Sequence, residues 1–363
     1  MAPGEALDRR DRRRHAEHRP RTVEDLHRAP DDQRREQAGV RERREHGQAA
    51  RAGRALRRAA DEDRRRLGCA GAHHGGAAVS APVKVGIPLF LLRPEQLVSV
   101  ARRAEELGFE SVWVAEHLVF PTTFNSRYPY TEDGVPPVNP ATPLLDPLMV
   151  LAQIAAVTSR IRLGTNIYLL PLRHPLVTAR LGVTLDVLSN GRFSLGVGVG
   201  WLEEEFVAAG VDFARRGALL RECVRALRVL WTESEPEFHG KTFSFGPVKF
   251  EPKPVQKPHP PILVGGESEA ALKRAAEIGD GWYGVRHTPE SVVPLIARLR
   301  ELRAAAGREY LPFEITVGPA AARLDRDALA RFADAGVDRV VSLPWTRARE
   351  AMDGLQRLAE KLL

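Results

Sequence analysis

The chain has 363 residues, of which 43% are hydrophobic, 28% charged and 6% aromatic. This composition is typical of a globular protein with room for one large domain or two ordinary ones, and it excludes collagen and coiled coils. The two cysteines, Cys69 and Cys223, cannot build a disulfide framework or a four-cysteine zinc site, so we expect a protein of the reducing cytoplasm.

The formal net charge of +7 is concentrated at the start of the chain. Residues 1–80 hold 20 arginines, no lysine and 14 acidic residues, which leaves residues 81–363 with a net charge of only +1. The same segment has no Phe, Trp or Tyr, since the first is Phe90. It buries too little apolar surface to offset the entropy lost on ordering. We therefore predict a disordered, Arg-rich extension over 1–80 and one folded domain over 81–363.

Two other interpretations of the extension are an arginine-rich arm for nucleic acid or a membrane surface, and a mis-assigned start with the true one near Val79 or Val83. Acidic residues such as Asp31 and Asp32 are interleaved with the arginines and would repel phosphate, which argues against the arm. No signal peptide is recognisable, and no apolar run is long enough to span a bilayer. We expect neither nucleic acid nor a membrane as a partner.

From residue 83 onward, short β-rich runs alternate with amphipathic helical patterns. In chain order, strands are predicted at residues 83–89, 111–115, 161–167, 193–197, 262–264, 281–284, 313–317 and 339–342. Helices are predicted at residues 95–107, 145–158, 175–188, 215–231, 268–278, 289–306, 326–335 and 347–362. Eight strands, each followed by a helix within about 250 residues, predict a (β/α)8 TIM barrel, with a doubly wound open sheet as the alternative.

Two connections between these elements are too long to be simple links. Residues 118–143 follow the second strand and hold Tyr128, Tyr130 and six prolines. Residues 233–261 hold a predicted hairpin over 237–245 and a proline-rich approach to the next strand. Because the loops after barrel strands surround the active site, we expect the 118–143 loop to overhang the site and to form a substrate wall.

Several familiar motifs are absent from the sequence. The run LGVGVGW at 195–201 is not a dinucleotide-binding G-x-G-x-x-G fingerprint, which needs a glycine where Trp201 stands. Walker A, H-E-x-x-H and G-x-S-x-G do not occur, so neither a metal site nor a serine hydrolase is predicted. Cys223 lies inside a helical pattern and is expected to be a packed apolar residue.

Polar residues mark the ends of the predicted strands, where barrel enzymes carry their chemistry. Glu116 and His117 follow the second strand directly, and histidine exchanges protons near neutral pH, so this pair is the predicted catalytic site. The structural alternative is that Glu116 ties down a neighbouring loop while His117 packs at the rim. Asn166 and Ile167 end the third strand.

Glycines follow the fourth and fifth strands. Gly196, Gly198 and Gly200 would let the backbone approach a flat ligand closely, although they could also be plain turn residues. Gly265 and Gly266 open a helix whose first N–H groups would make an anion site, with phosphate as the expected guest. The alternative there is an ordinary strand-to-helix turn with a serine cap.

Together, these segments resemble the bacterial luciferase-like superfamily, and specifically its coenzyme F420-dependent oxidoreductase branch. The resemblance covers about residues 83–345 and depends on several segments in the same order rather than on one motif. They are LGFESVWVAEH at 107–117, LGTNI at 163–167, HPL at 174–176, LSNGRF at 188–193, LGVGVGW at 195–201, PPILVGG at 260–266 and GDGW at 279–282.

The resemblance implies a barrel whose open end holds the tricyclic ring of F420, supported by a cis peptide bond between Asn166 and Ile167. It implies that the cofactor's phosphate lies on Gly265 and Gly266. It also places His117 near the carbon that exchanges hydride, as a proton donor or an orienting group.

Trp201, Tyr128 and Tyr130 are the expected substrate-binding residues. The family's sugar-phosphate dehydrogenases carry a glutamate where Trp201 stands and a tryptophan where Pro121 stands, so glucose 6-phosphate is not the expected substrate. Basic residues after the third and sixth strands could meet an anionic group, or could be solvated surface charge; they are Arg173, His174, Arg286 and His287.

The main alternative is an FMN-dependent monooxygenase that uses O2, because flavin and deazaflavin rings are both flat and both carry a phosphate arm. A non-catalytic ligand-binding barrel and a nucleic-acid binder acting through the extension are alternatives of a different class. The family resemblance also leads us to expect a homodimer.

Overall fold

The structure is a computed structural model that describes residues 82–320 and 324–363. The predicted disordered extension over residues 1–80, which includes Cys69, lies outside the described residues. The strands are β1 (Lys84–Pro88), β2 (Ser111–Val114), β3 (Arg162–Thr165), β4 (Tyr168–Leu169), β5 (Phe193–Gly198), β6 (Phe238–His239), β7 (Ser244–Phe245), β8 (Ile262–Gly265), β9 (Gly281–His287), β10 (Glu314–Pro319) and β11 (Arg339–Val341). The α-helices are α1 (Leu97–Leu107), α2 (Pro147–Ala155), α3 (Pro175–Leu188), α4 (Glu203–Ala208), α5 (Arg216–Thr232), α6 (Glu269–Ile278), α7 (Pro289–Ala305), α8 (Arg326–Ala335) and α9 (Ala351–Leu362).

Parallel strands close into a barrel in the order β1, β2, β3, β5, β8, β9, β10 and β11. The sheet is closed because β1 pairs with both β2 and β11, while β3 pairs with β5. This closure confirms the predicted (β/α)8 barrel and excludes the open sheet. The predicted hairpin is also present, as the antiparallel pair β6–β7. Within the part of the chain that the structure describes, no helix is long and apolar enough to cross a membrane.

The strand predicted over residues 161–167 is divided into β3 and β4. The peptide bond between Asn166 and Ile167 is cis, as the family resemblance implied. On β5 the partners of Gly164 and Tyr168 are Ser194 and Val197, so the broken strand holds one residue more than its neighbour over this interval. The additional residue makes the end of the third barrel strand irregular, as a β-bulge does.

β9 extends to His287, past the predicted strand end at 284, so Arg286 and His287 lie within the strand rather than after it. Further differences from the predicted elements are at helices. α2 begins at Pro147 rather than at residue 145, because the Asp146 carboxylate caps it by accepting hydrogen bonds from the N–H groups of Leu148 and Met149. α9 begins at Ala351, after a turn of 3-10 helix. α4 has no counterpart among the predicted helices, because its six residues are too few to show a helical period.

Side chains fill the interior of the barrel. The indole of Trp113 is 1% exposed and packs in one cluster with Leu263, Tyr283 and Val341. A Cβ atom on Gly164 would lie 2.3 Å from this indole, so a glycine is needed where β3 passes it. The barrel is therefore a packed core rather than a pore, and its upper layer forms the floor of any site at the mouth.

A buried cation holds together the opposite, N-terminal end of the barrel. Arg339 at the start of β11 is 1% exposed, and its guanidinium donates to both carboxylate oxygens of Glu110, at 2.7 Å and 2.8 Å. It also forms an ion pair with Glu314 at the start of β10. Burial opposes the ionised form of Glu110, but the hydrogen bond and charge of Arg339 outweigh it and lower the pKa of Glu110.

Replacing Arg339 by alanine should destabilise the barrel, because two partly buried carboxylates would lose their partner. We expect the free energy of unfolding, measured by denaturant titration, to fall by about 3 kcal/mol, the low end for a broken buried ion pair because both carboxylates keep some contact with water. Lys84→Ala is the control, since Lys84 is half exposed and reaches Glu314 only at 3.8 Å. It should cost less than about 1 kcal/mol, and equal losses in both variants would contradict the assignment.

The same ion pair should make stability depend on pH. Because the folded-state pKa of Glu110 lies below its ordinary value of 4.5, the pair stabilises the fold above that pH and its contribution is lost as the pH falls through the folded pKa. The difference in unfolding free energy between wild type and Arg339→Ala should therefore shrink between about pH 6 and about pH 3. A difference that stayed constant over this range would contradict the lowered pKa.

Candidate functional site

The residues predicted at the strand ends lie at one end of the barrel. All the barrel strands are parallel, so their carboxyl ends meet at the same face. Glu116 and His117 follow β2, the pair Asn166 and Ile167 joins β3 to β4, and Gly265 ends β8. This face is the candidate functional site.

His117 is held by a buried carboxylate from another loop. Its Nδ1 lies 2.9 Å from Oε2 of Glu205 on α4, a residue that is fully buried. The other oxygen of Glu205 accepts hydrogen bonds from the backbone N–H groups of Leu118, at 2.5 Å, and Val119, at 3.3 Å. Nε2 of His117 makes no hydrogen bond with any residue between 82 and 320 or 324 and 363, so this nitrogen is available to a ligand.

Glu205 was not among the site residues predicted from the sequence. It stands 88 positions from His117, and only the fold brings the two side chains together. The available signal was the acidic run Glu203, Glu204 and Glu205, which begins two residues after Trp201, the last residue of the glycine-rich segment that the family resemblance had marked. A fully buried carboxylate is retained where its hydrogen bonds are complete, as they are here.

Glu116 points away from His117, into the wall of the barrel. Its Oε2 accepts a hydrogen bond from the backbone N–H of Leu169 on β4 at 2.5 Å, and its Oε1 forms an ion pair with Arg173. Burial raises the pKa of Glu116, although the Arg173 guanidinium and the Leu169 N–H act in the opposite direction. These contacts fix the segment that follows the cis peptide, as in the structural alternative for Glu116.

Gly196 and Gly198 on β5, and Gly200 just after it, leave space that other atoms of the protein occupy. A Cβ atom on Gly198 would lie 1.7 Å from Cδ1 of Ile167, and one on Gly196 would lie 2.0 Å from the carbonyl oxygen of Thr165. Gly200 has φ +80° and its Cβ would meet the ring of Phe206. Close approach of the backbone does require glycine here, but the approaching groups that the structure shows belong to β3, β4 and α4.

Asn166, Ile167 and Gly265 form a surface with the features of a ligand-binding site, which we call the ligand bed. Its Nδ2 donates to the hydroxyl of Tyr283 at 3.2 Å, while its Oδ1 is buried and accepts no hydrogen bond from any described residue. A buried acceptor without a donor is costly and indicates a missing partner. Beside it, Ile167 lies 3.2 Å from the position of a Cβ on Gly265. A flat ring with N–H or O–H donors on its edge would fit this bed.

Gly266 begins the turn into α6 in a conformation that favours glycine. Its φ is +110°, and a Cβ atom there would lie 2.9 Å from Cβ of Ala271 and 3.8 Å from the hydroxyl of Tyr130. Ser268 caps α6 by accepting from the N–H of Ala271 at 3.3 Å. The serine-capped turn is therefore present, and its open side faces Tyr130 from the long loop, which suits a phosphate group.

An aromatic cluster forms one wall of the site. The indole of Trp201 is the common contact, and the ring centroids around it belong to His117 at 5.8 Å, Phe120 at 6.4 Å, Phe124 at 6.0 Å and Tyr128 at 5.2 Å. Tyr130 extends the cluster, 5.4 Å from Tyr128. The three expected substrate-binding residues are thus brought together with His117, and two phenylalanines join them. An apolar, aromatic wall favours an apolar or planar guest.

The 118–143 loop is tied to α4 by Glu204. Its Oε1 accepts from the N–H groups of Asn125, at 2.6 Å, and Ser126, at 3.2 Å, and its Oε2 accepts from the Ser126 hydroxyl at 2.7 Å. Partial desolvation opposes these hydrogen bonds, which nevertheless lower the pKa of Glu204 to about 2. The loop is thereby anchored on the same short helix that holds His117.

Of the four basic residues after the third and sixth strands, three are engaged within the protein. Arg173 pairs with Glu116, His174 caps α3 by accepting from the N–H of Leu176 at 3.2 Å, and His287 lies 3.2 Å from Oε1 of Glu267. The exposed residue is Arg286, which has φ +61° and interacts electrostatically with Tyr128. Among the described residues, no three His, Cys, Asp or Glu side chains are arranged to hold a metal ion.

Comparison with known proteins finds relatives in sequence and in structure. A model of the family described as luciferase-like monooxygenase matches residues 65–360. An uncharacterised protein of Mycobacterium tuberculosis is 40% identical over 269 residues, which are 73% of this chain and 93% of that protein. The F420-dependent glucose-6-phosphate dehydrogenase of Amycolatopsis mediterranei is 31% identical over 193 residues, 52% of this chain and 53% of that enzyme.

A solved structure shows the same architecture at higher coverage. The crystal structure of monooxygenase RslO1 from Streptomyces bottropensis superposes with a TM-score of 0.61 and 26% identity, over 77% of this chain and 98% of that one. The relatives therefore include both a deazaflavin-dependent dehydrogenase and a monooxygenase.

Gly198→Ala should disturb the ligand bed, because the new methyl group would occupy the space of the Ile167 side chain. We expect a loss of about 1–3 kcal/mol in unfolding free energy, as is usual for overpacking, together with weaker cofactor binding. Gly246→Ala is the matched control, since a Cβ atom there meets nothing within 4 Å. A Gly198→Ala protein as stable as the control would show that Ile167 does not depend on this glycine.

Proposed function

The chain belongs to the luciferase-like monooxygenase family, and from that premise we propose that it is an oxidoreductase that transfers a hydride between coenzyme F420 and a small organic substrate. The observation that carries the proposal is the pairing of His117 with the buried carboxylate of Glu205 at the mouth of the barrel, between the aromatic wall and the bed at Asn166. Hydride transfer to or from a carbonyl or hydroxyl carbon needs a proton to move as well, and a held imidazole can supply that step.

In this proposal, His117 is the catalytic residue and Nε2 is the atom that exchanges the proton. Glu205 is a positioning residue, since it fixes the ring through Nδ1 and stabilises the protonated imidazole when it forms. Glu116, which the sequence predicted as catalytic, is also a positioning residue in this proposal. It accepts a hydrogen bond from the Leu169 N–H on β4 and forms an ion pair with Arg173.

The residues proposed to hold the cofactor are Asn166, Ile167, Gly265 and Gly266. The unpartnered Oδ1 of Asn166 offers an acceptor to the ring edge, and the turn at Gly266 offers backbone N–H groups to a phosphate. When bound, the cofactor supplies the carbon that gives or accepts the hydride, while the protein supplies orientation and exclusion of water. Gly196, Gly198 and Gly200 contribute indirectly, by allowing Ile167 and its neighbours to lie where they do.

Support for F420 comes from the segments shared with that branch and from the F420-dependent relative of Amycolatopsis mediterranei. That relative's name gives glucose 6-phosphate as its substrate, but here Trp201 and Pro121 replace the residues expected for a sugar phosphate, and the wall around Trp201 is aromatic. We propose an apolar or planar organic substrate, in contact with Trp201, Tyr128 and Tyr130.

An FMN-dependent monooxygenase is the second candidate. The likeness to monooxygenase RslO1, which extends over nearly all of that chain, favours it. The bed at Asn166 and the turn at Gly266 would suit FMN as well, because both cofactors join a flat ring to a phosphate.

A homodimer and a cytoplasmic location stay predictions.

The two candidates are separated by equilibrium binding of the purified full chain to oxidised F420 and to FMN, followed by fluorescence quenching at physiological salt. The proposal predicts clearly tighter binding of F420. Tighter binding of FMN would move the protein to the monooxygenase candidate, and binding of neither cofactor would contradict both enzymatic candidates in favour of a barrel that binds another ligand.

His117→Ala should lower kcat by about 100-fold or more, the usual contribution of a general acid or base, while the Kd for the cofactor stays within about threefold. The control is His239→Ala, because His239 is exposed on the β6–β7 hairpin. Steady-state kinetics with the preferred cofactor makes the comparison. Normal turnover by His117→Ala would remove this residue from the mechanism.

Glu205→Gln should lower kcat by about 10- to 100-fold, because the charge-assisted hydrogen bond to His117 is lost while an oxygen remains to accept from Leu118. The KM should change little, and the pH dependence of kcat should shift, since the group that stabilises the protonated imidazole is gone. A variant with reduced stability but an unchanged pH profile would show that Glu205 has only a structural role.

A further inference from the structure

Arg274 on α6 is a buried cation without a counter-charge. The residue is 8% exposed, and its guanidinium makes neither a hydrogen bond nor an ion pair with any residue in the described ranges 82–320 and 324–363. Its Nε is fully buried and has no acceptor. Burying a charged group without a partner is costly, so a native protein retains such a group where a ligand completes it.

Arg192 shows how this protein satisfies a buried arginine when the role is structural. It is 9% exposed, and its guanidinium donates to the carbonyl oxygens of Ser189, Ile161, Ala155 and Thr158 at 2.8–3.0 Å. Each of its nitrogens thus has an acceptor within the fold. Arg274 is buried to the same degree and none of its nitrogens has an acceptor among the described residues, which separates it from Arg192.

Arg274 stands on α6, the helix that follows the turn at Gly266, and its guanidinium lies beside the start of α5. A Cβ atom on Gly217, at the start of α5, would lie 3.3 Å from its Nη1, so the absence of a side chain there leaves the guanidinium its space. Arg274 also interacts electrostatically with Tyr130, whose hydroxyl lies 3.8 Å from the Cβ position of Gly266. Tyr130 thus interacts with the guanidinium and lies beside the turn where the phosphate is expected.

The surroundings of Arg274 are basic. Its charged neighbours are Arg221, which is already paired with Glu277 at 2.8 Å, and Arg216, which donates only to the carbonyl oxygen of Phe213. The acid beside Tyr130, Glu267, is held by the N–H of Val285 at 2.6 Å and by His287. The cluster of Arg274 and Arg216 thus carries two positive charges that no carboxylate of the described residues neutralises.

We propose that Arg274 and Arg216 form an anion-binding subsite next to the turn at Gly266, which takes a phosphoryl or carboxylate group of the ligand held at the barrel mouth. The planar fork of an arginine matches both groups, with two parallel hydrogen bonds. The subsite adds side-chain donors to the backbone turn, and the hydroxyl of Tyr130 near Gly266 is a further donor.

Two sources could supply the anion: the acidic arm of the cofactor, or an acidic group on the substrate. The first source depends on the proposed function, whereas the subsite itself depends only on the contacts of Arg274. The variant that tests both is Arg274→Gln, and the matched control is Lys273→Gln, which removes the same charge from the next position of α6, where the side chain is 59% exposed.

The first experiment measures Kd values of the full-length variants for FMN, F420 and their ribityl forms without phosphate, by titration calorimetry. If the anion comes from the cofactor arm, Arg274→Gln weakens the binding of the phosphate-bearing form by about 10- to 100-fold. It weakens the binding of the phosphate-free form by less than about twofold. Lys273→Gln changes neither Kd. If a substrate anion is the guest, cofactor binding is unchanged, but the rise in Tm produced by inorganic phosphate is lost in Arg274→Gln alone.

The second experiment compares ligand-free stability, which does not depend on identifying the cofactor. Replacing an uncompensated buried charge by an apolar side chain of similar length should raise the Tm of Arg274→Met above that of wild type, while the stabilisation by inorganic phosphate disappears. The subsite is contradicted if Arg274→Gln leaves both the Kd values and the stabilisation by phosphate unchanged. It is also contradicted if ligand-free Arg274→Met has a lower Tm than wild type. Failure to bind either F420 or FMN would contradict the proposed function but leave the phosphate measurements as the test of the subsite.

Discussion

The carboxylate of Glu205 connects the parts of the molecule on which its chemistry depends. It is fully buried on α4, and it holds both the imidazole of His117 and the backbone N–H groups that follow it. A carboxylate can be buried at this cost only if its hydrogen bonds are complete, so the end of β2, the start of the long loop and α4 must adopt one fixed arrangement. Glu204, its neighbour, anchors the aromatic loop on the same helix.

The barrel supplies the rigid frame for this arrangement. Its interior is packed around Trp113, and its N-terminal end is held by Arg339, so the strand ends at the opposite face are fixed in position. The third barrel strand is irregular where it divides at Asn166 and Ile167. Glu116 holds that segment by accepting from the Leu169 N–H, while the buried Oδ1 of Asn166 has no hydrogen-bond partner among the described residues. The irregular end of the third barrel strand thus includes a buried oxygen without a hydrogen-bond partner, at the face where a ligand is expected.

The sequence was sufficient for the features that depend on local pattern. The order of strands and helices predicted the barrel, and the residues at the strand ends predicted which face carries the site. It could not predict contacts between distant positions: Glu205 lies 88 residues from His117, and a short acidic run gives no sign of its partner. Gly198 had a plausible ligand interpretation, yet its space is taken by Ile167. Arg274 has the sequence context of an ordinary solvated helix, and only its burial without an acceptor distinguishes it.

We propose that the barrel mouth serves hydride transfer with a deazaflavin rather than oxygen chemistry with a flavin. The most direct measurement follows the absorbance of reduced F420 bound to the protein, on mixing with a panel of small ketones and enones, in air and without oxygen. We expect oxidation of the cofactor that requires an organic substrate and proceeds at the same rate with and without oxygen. Substrate oxidation that occurs only with reduced FMN, with oxygen consumed in proportion to the product, would contradict it.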